Sequence, residues 1–494
     1  MGVGVTATGN ECQLLSTDKT EVLGMVRIRR GLLLGLGLLI ACSSIRAQDK
    51  NSSLVVRGGT LIDGTGSSSH ANVIILIRNG KIEALGKDIK IPADVKQIDA
   101  TGKFIIPALI DSRVRIGPTP GNHVLRSEIG AEQRLESLQA LLAAGVSTAR
   151  LVQGGLTEQQ VYQRWSEEDV LVSPRIVASG PVFTARGGHP VEEYSILAGV
   201  VRDRELRQIA SEDQAREKAR EVAHAGANAF EINSDRGPSL ANRTRLEKPL
   251  LEILVKEAHG HDLPVFCEVG WNQEVMDAIA VGANTVEGVW EELLTDEVVA
   301  ALARGKVTFV PSLTQQGDLL NLLDEPALKT YLDQPIVQQS LSSTMKESLA
   351  NGAGIIQRLR EELNAPSGAV IRRQLKEQQE RAFANVKKAQ AAGVKIAVGT
   401  GTGNLLIFPG AAVHRELQLL VKAGLTPMEA IVVATRNTAE SLGLGTEIGT
   451  IEPGKEADLL ILDADPLLDI QNTQKIHAVV QRGREVPSQE LQLR

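Results

Sequence analysis

At 494 residues, 43% apolar and 23% charged, the chain is long enough for a full barrel with a second domain, and its composition is that of an ordinary globular protein. A net charge of −7 with no basic stripe argues against a nucleic-acid surface, and an aromatic share of 3% disfavours stacking platforms for single strands or sugars.

Residues 1–47 read as an export signal with extra residues in front. Arg27, Arg29 and Arg30 precede an apolar run from Gly31 to Ala41, too short to span a bilayer as a stable helix. Met25 stands directly before the charged part and is a second candidate start. Cleavage after Ala47 would release a soluble chain into the periplasm or beyond. Leu39-Ile40-Ala41-Cys42 is also similar to a lipobox, in which case Cys42 would carry lipid and the membrane would be a partner. An uncleaved anchor is the third alternative. Apart from Cys12 and Cys42 only Cys267 exists, so a mature chain forms no internal disulfide, and Cys267 reads as a small buried apolar residue.

From residue 52 the chain alternates short β-branched runs with turns. Leu54–Val56, Val73–Ile77 and Lys81–Leu85 are expected strands, separated by Gly58-Gly59, Asp63-Gly64 and Asn79-Gly80. The tail repeats the pattern at Ala457–Leu462, Ala478–Val480 and Arg482–Val486. Neither segment has strands enough for a core alone. Together, residues 48–106 and 445–494 are expected to form a small composite β-sandwich.

Between them, residues 107–444 read strand, turn, helix, repeatedly. The expected strands are Phe104–Ile116, Thr148–Val152, Arg175–Gly180, Ala229–Asn233, Pro264–Gly270, Thr285–Val289, Thr308–Thr314 and Ile396–Gly403. Eight is the number a closed (β/α)₈ TIM barrel requires, so the expected class is α/β. Residues 315–381 are too long for a plain connection and read as a helical insertion over or beside the barrel mouth.

The stretch Phe104-Ile105-Ile106-Pro107-Ala108-Leu109-Ile110-Asp111-Ser112-Arg113-Val114-Arg115 resembles the first barrel strand of the metal-dependent amidohydrolases, roughly Pro-Gly-Leu-Ile-Asp-Ala-His-Val-His. Pro174–Pro181, Gly187-Gly188-His189, Phe408-Pro409-Gly410, Ala423–Ala430 and Ile451–Leu459 carry the same resemblance, closest to the imidazolonepropionase-like and prolidase-like branch. It covers roughly residues 52–486 and implies a hydrolase of carbon–nitrogen bonds using zinc or another divalent metal.

The positions that the resemblance assigns to metal ligands are all changed. Arg113 and Arg115 stand for the paired His, and a guanidinium has no lone pair to give a cation. Glu231 stands for the bridging Lys, Glu268 and Gly288 for two His, and Gly401 for the general-base Asp. No metal or other cofactor is therefore expected. His189, in a Gly-rich loop, is the one histidine expected near the mouth. Three readings of the pocket follow. Arg113 and Arg115 could cancel Glu231 and Glu268 as an ion-pair plug. The two Arg could instead bind a small anionic ligand. Glu231 and Glu268 could also act as metal-free acid–base catalysts. The expectation is a catalytically silent binding or scaffold subunit, paired through residues 315–381 with an active relative or a second copy. The alternative is a carbon–nitrogen hydrolase with a carboxylate/arginine site.

Overall fold

The computed structural model describes residues 53–116, 131–191, 194, 199–236, 243–288, 291–315, 325–341, 345–347, 361, 366–404 and 406–491. The signal-like segment with Met25, Cys42 and Ala47 lies outside them. Among the described residues no helix is long and apolar enough to cross a membrane.

Strands β1 (Ser53–Leu61), β2 (His70–Arg78) and β3 (Lys81–Gly86) form an antiparallel meander. Asn79 and Gly80, at φ 52° and 80°, supply the left-handed pair that a two-residue hairpin needs. β4 (Lys96–Asp99) and β5 (Phe104–Pro107) run parallel to the two ends of β1.

The barrel begins one residue later. β6 (Leu109–Val114), β7 (Val146–Leu151) and β8 (Arg175–Ala178) pair in parallel. β9 (Val182–Ala185), β10 (Leu206–Ile209), β11 (Phe230–Asn233), β12 (Val265–Val269), β13 (Thr285–Gly288) and β14 (Thr308–Val310) form a second parallel sheet in the order β10-β9-β11-β12-β13-β14. Asn228 closes the gap between β8 and β11, its N–H donating to Ala178 O at 2.8 Å while its Oδ1 accepts from Ala178 N–H at 2.9 Å. The eighth position, residues 396–402, is held by bridges rather than a ladder: Ile396 to Phe309 and Thr402 to Val114. Seven of the eight expected positions keep regular strands, and β9 and β10 are an extra pair between the third and fourth expected strands.

The expected first strand is in fact two. Pro107 pairs with Leu459 in the sandwich, Ala108 N–H donates to Asp458 O at 3.0 Å, and only from Leu109 does the chain pair with β7. Proline has no N–H for a second ladder, so the strand changes sheets at that point.

β15 (Leu459–Leu462), β16 (Ile476–Gln481) and β17 (Arg484–Glu485) extend β5, giving one folded eight-stranded sheet drawn from both chain ends. Its core includes Leu54, Val56, Ile75, Ile77, Ile105, Leu459 and Ile461. The architecture is a TIM barrel with a composite β-sandwich.

Helices pack on the barrel through apolar residues at helical spacing. Ala215, Ala219 and Val222 do so on Glu212–His224, where Ser211 Oγ caps Gln214 N–H, and Leu251, Leu254, Val255 and Ala258 on Lys248–His259. Of residues 315–381, the described ones include helices that pack on the rest of the chain. Leu328, Tyr331, Ile336 and Val337, from two short helices, bury against Leu406 and Phe408. The 26-residue helix Pro366–Ala391 runs through the expected boundary at 381, and its second half braces the barrel, Asn385 Oδ1 accepting from Leu294 N–H at 2.8 Å.

Candidate functional site

The C-terminal ends of β6, β7, β11, β12 and β13 enclose a cluster of charged side chains. Arg113 on β6 is fully buried. It pairs closely with Glu268 of β12, its Nε lies 3.5 Å from Glu287 Oε2, and its Nη1 donates to Gln315 Oε1 at 3.0 Å. Arg150 on β7, also fully buried, pairs closely with Glu231 of β11 and donates from Nη2 to Glu287 Oε1 at 2.6 Å. Its Nε donates to Ser112 O at 2.5 Å, and its guanidinium carbon stands 3.7 Å over the Phe266 ring.

An ion-pair cluster does fill the centre, with three of the four expected members, Arg113, Glu231 and Glu268, joined by Arg150 and Glu287. Glu231 is paired with Arg150, not with Arg113 or Arg115. Arg115 forms no salt bridge within the cluster; its Nη1 donates to Asn404 Oδ1 at 2.9 Å. Arg150 and Glu287 went unnoticed, although each is a charged residue inside an otherwise small or apolar barrel strand. That is the pattern a buried charge leaves in sequence, since such a residue is tolerated there only when paired.

The charges balance through one proton. Two guanidinium groups face three carboxylates. Burial raises the Glu287 carboxyl most, the charges of Glu231 and Glu268 push the same way, and against Arg150 and Arg113 it stands at about 8. Glu268 goes the other way: burial alone would raise it, but Arg113, Arg115 and His189 together hold it at about 2. Near neutral pH Glu287 therefore keeps its proton while Glu268 does not.

The surrounding residues hold this centre in place. Asp111, raised to about 6 chiefly by burial, accepts from Thr400 Oγ1 at 2.6 Å and from the N–H groups of Thr400 and Arg113. Asn233 Nδ2 donates to Glu268 Oε2 at 2.8 Å. Gly401 has φ +68°, and a Cβ there would fall 2.3 Å from Gln315 Nε2, so Gln315 occupies the space a side chain would need. Gly288 ends β13 at φ +94°. His189 is half-buried in the loop after β9, where its carbonyl accepts from Thr184 Oγ1 at 2.6 Å. His414 is a structural residue, bridging Thr473 Oγ1 and Ala144 O. His259 lies at a helix end against Asn284, and His224 and His261 meet edge to face at 5.1 Å.

A divalent metal does not fit these residues. Arg113 fills the centre and offers only donors, Gly288 and Gly401 offer nothing, and Glu231 and Glu268 are bound to guanidinium groups. Among the described residues no three His, Cys, Asp or Glu side chains gather as a metal-holding group.

A closed eight-position barrel, joined to a two-ended β-sandwich and carrying its polar centre at the strand C-termini, is a scaffold of the barrel hydrolases. The chain belongs to the amidohydrolase family, whose model matches residues 104–486. It is similar to ochratoxinase of Aspergillus niger, 24% identical over 467 residues that cover 88% of this chain and 86% of the relative. It is also similar to imidazolonepropionase of Caldanaerobacter subterraneus subsp. tengcongensis, 25% identical over 413 residues, 81% of this chain and 85% of that one. Among solved structures, a Xaa-Pro dipeptidase with bound methionine superposes with a TM-score of 0.70 at 19% identity, covering 88% of this chain and all of that one.

Proposed function

We propose that this protein is a binding or scaffold member of the amidohydrolase family that does not carry out metal-dependent hydrolysis. The observation that carries the reading is Arg113: fully buried, paired with Glu268 and next to Glu287, it stands where the family resemblance puts a metal-binding His. The same packing weighs against metal-free acid–base catalysis by the two carboxylates named from sequence. Glu231 is 1% exposed and held by Arg150, and Glu268 is pinned by Arg113 and Asn233. A signal-like N-terminus supports export of the chain, soluble or lipid-anchored through Cys42.

The test is elemental analysis of the purified mature protein, together with hydrolysis assays on dipeptides and cyclic amides with added Zn²⁺ or Mn²⁺. Less than stoichiometric metal and no turnover are expected. One tightly held metal per chain, or activity that a chelator abolishes, would overturn the reading.

A further inference from the structure

We propose that a cleft at the N-terminal end of the barrel, between helix Pro427–Val432, the turn that follows it and the start of the eighth barrel position, binds an amphipathic monocarboxylate: an apolar tail of several carbons ending in one carboxylate. Ile396 opens the eighth position beside Phe309, and Thr402 closes it beside Val114, so the cleft lies at the end away from the charged cluster. The site therefore stands whether or not the centre is free of metal.

One cavity of about 400 Å³ is walled by Ile396, Leu425, Met428, Val432 and Val433, and its size is that of a small-molecule site. Four of these are held in the core, while Met428 is half-buried, and its unbranched thioether adapts to tails of differing shape. The wall is preformed. Residues 433–437 make a π-helical turn, in which Thr435 Oγ1 donates to Ile431 O at 2.7 Å and Asn437 Nδ2 ties the turn to the barrel through Ile396 O at 3.0 Å. Such turns are rare and recur at functional sites. This one brings Val433, Arg436 and Asn437 to the same cavity.

Three charged residues line the cavity, and two of them are taken. Lys395 pairs with Glu440 at 2.5 Å. Glu429 closes the cap of its own helix, accepting from Thr426 N–H at 2.7 Å and Thr426 Oγ1 at 2.8 Å, and it also accepts from Gln390 Nε2 at 2.8 Å. Arg436 differs. Its Nη1 donates to a neutral acceptor, Thr65 O, at 2.6 Å, and among the described residues it forms no salt bridge. The Glu452 carboxylate feels the charge of Arg436 but is itself bound by Thr450 and Lys455. The cavity thus sets one uncancelled guanidinium beside an apolar wall. A guanidinium fork matches a carboxylate, and the wall calls for a tail attached to it. The Glu429 carboxylate in the same lining disfavours a second negative charge, so a monocarboxylate is preferred to a phosphate.

The probes are butanoate, hexanoate and octanoate, compared with hexan-1-ol and hexylammonium, measured by calorimetry on the full mature chain. Affinity is expected to rise about two- to fourfold per methylene, the upper figure being that for a methylene fully removed from water. Hexanoate should bind roughly tenfold or more tighter than hexan-1-ol, and hexylammonium should not bind. Arg436→Gln should bring hexanoate down to the level of the alcohol, and Arg436→Lys should keep part of the gain. Met428→Glu, at a half-buried position that the fold tolerates, should abolish binding by setting a carboxylate in the wall while Arg436 stays in place. Melting curves of the three variants check that each is folded. Failure of all three acids to bind, affinity indifferent to chain length, hexan-1-ol binding as well as hexanoate, or hexanoate binding that survives both Arg436→Gln and Met428→Glu would overturn the site.

Discussion

Replacing Glu268 with Ala removes the closest partner of Arg113. Breaking a buried ion pair on one side costs about 3–5 kcal/mol, because the remaining charge is left uncompensated. Here the cluster has a reserve. Glu287, at about 8, keeps its proton at pH 7 partly because Glu268 is ionised beside it. Without Glu268 one of the charges holding that proton on is gone, and an ionised Glu287 would face Arg113 at 3.5 Å and Arg150 at 2.6 Å. Glu268→Ala should therefore cost about 3 kcal/mol, the lower end of the range. Glu287→Ala alone leaves two balanced pairs and should cost about 1–3 kcal/mol for the lost acceptor. With both gone, Arg113 has lost its two carboxylates, and the double variant should exceed the sum of the singles by roughly 1–3 kcal/mol. Scanning calorimetry of the four proteins at pH 7 measures this. Strict additivity would refute the shared-proton account, and an indifferent Glu268→Ala would refute the cluster altogether.

The same proton makes stability fall with pH: the folded chain keeps it from the ordinary 4.5 up to about 8, where the unfolded chain has already lost it, so stability should decline across that window. Thermal midpoints of Glu287→Gln should show a flatter alkaline limb, and a profile parallel to the parent would count against the assignment. His414, held neutral with its pKa lowered to about 4, acts at the acid end, where stability should drop as pH falls from 6.5 through 4; His414→Gln midpoints should lose that step. Arg150→Met should be among the most destabilising single changes in the barrel, about 3–5 kcal/mol, since it strands Glu231. Converting Arg113, Arg150, Glu231, Glu268 and Glu287 together to well-packed apolar residues should cost far less than Arg150→Met, which the same calorimetry would read.

The barrel, the two-ended sandwich and the family were all legible in the sequence, because β-branched runs, Gly-centred turns and motif spacing are local signals. Which charge meets which is a long-range fact. Arg113 and Glu268 could be named from their places on the first and fifth expected strands, but nothing in the chain says that Glu231 turns to Arg150 rather than to Arg115. Arg150 carries a usable clue, a lone charge among Thr148, Ala149 and Leu151, and Glu287 is a lone charge between Val286 and Gly288. The strand break at Ala108 was hidden for another reason: an apolar run reads alike whether it serves one sheet or two. The cryptic pair β9 and β10 is four residues per strand, too short for periodicity to register.

Gly288 and Gly401 bear on how far this barrel stands from a catalyst. Both have left-handed backbones, and Gln315 fills the room above Gly401. A His or Asp placed at either position would meet strain or a clash before it could offer a ligand. Arg113 cannot be exchanged for a ligand alone either, since Glu268 would then lose its counter-charge. Each step toward a metal centre costs stability before any ligand set is complete, so building one requires several positions to change together.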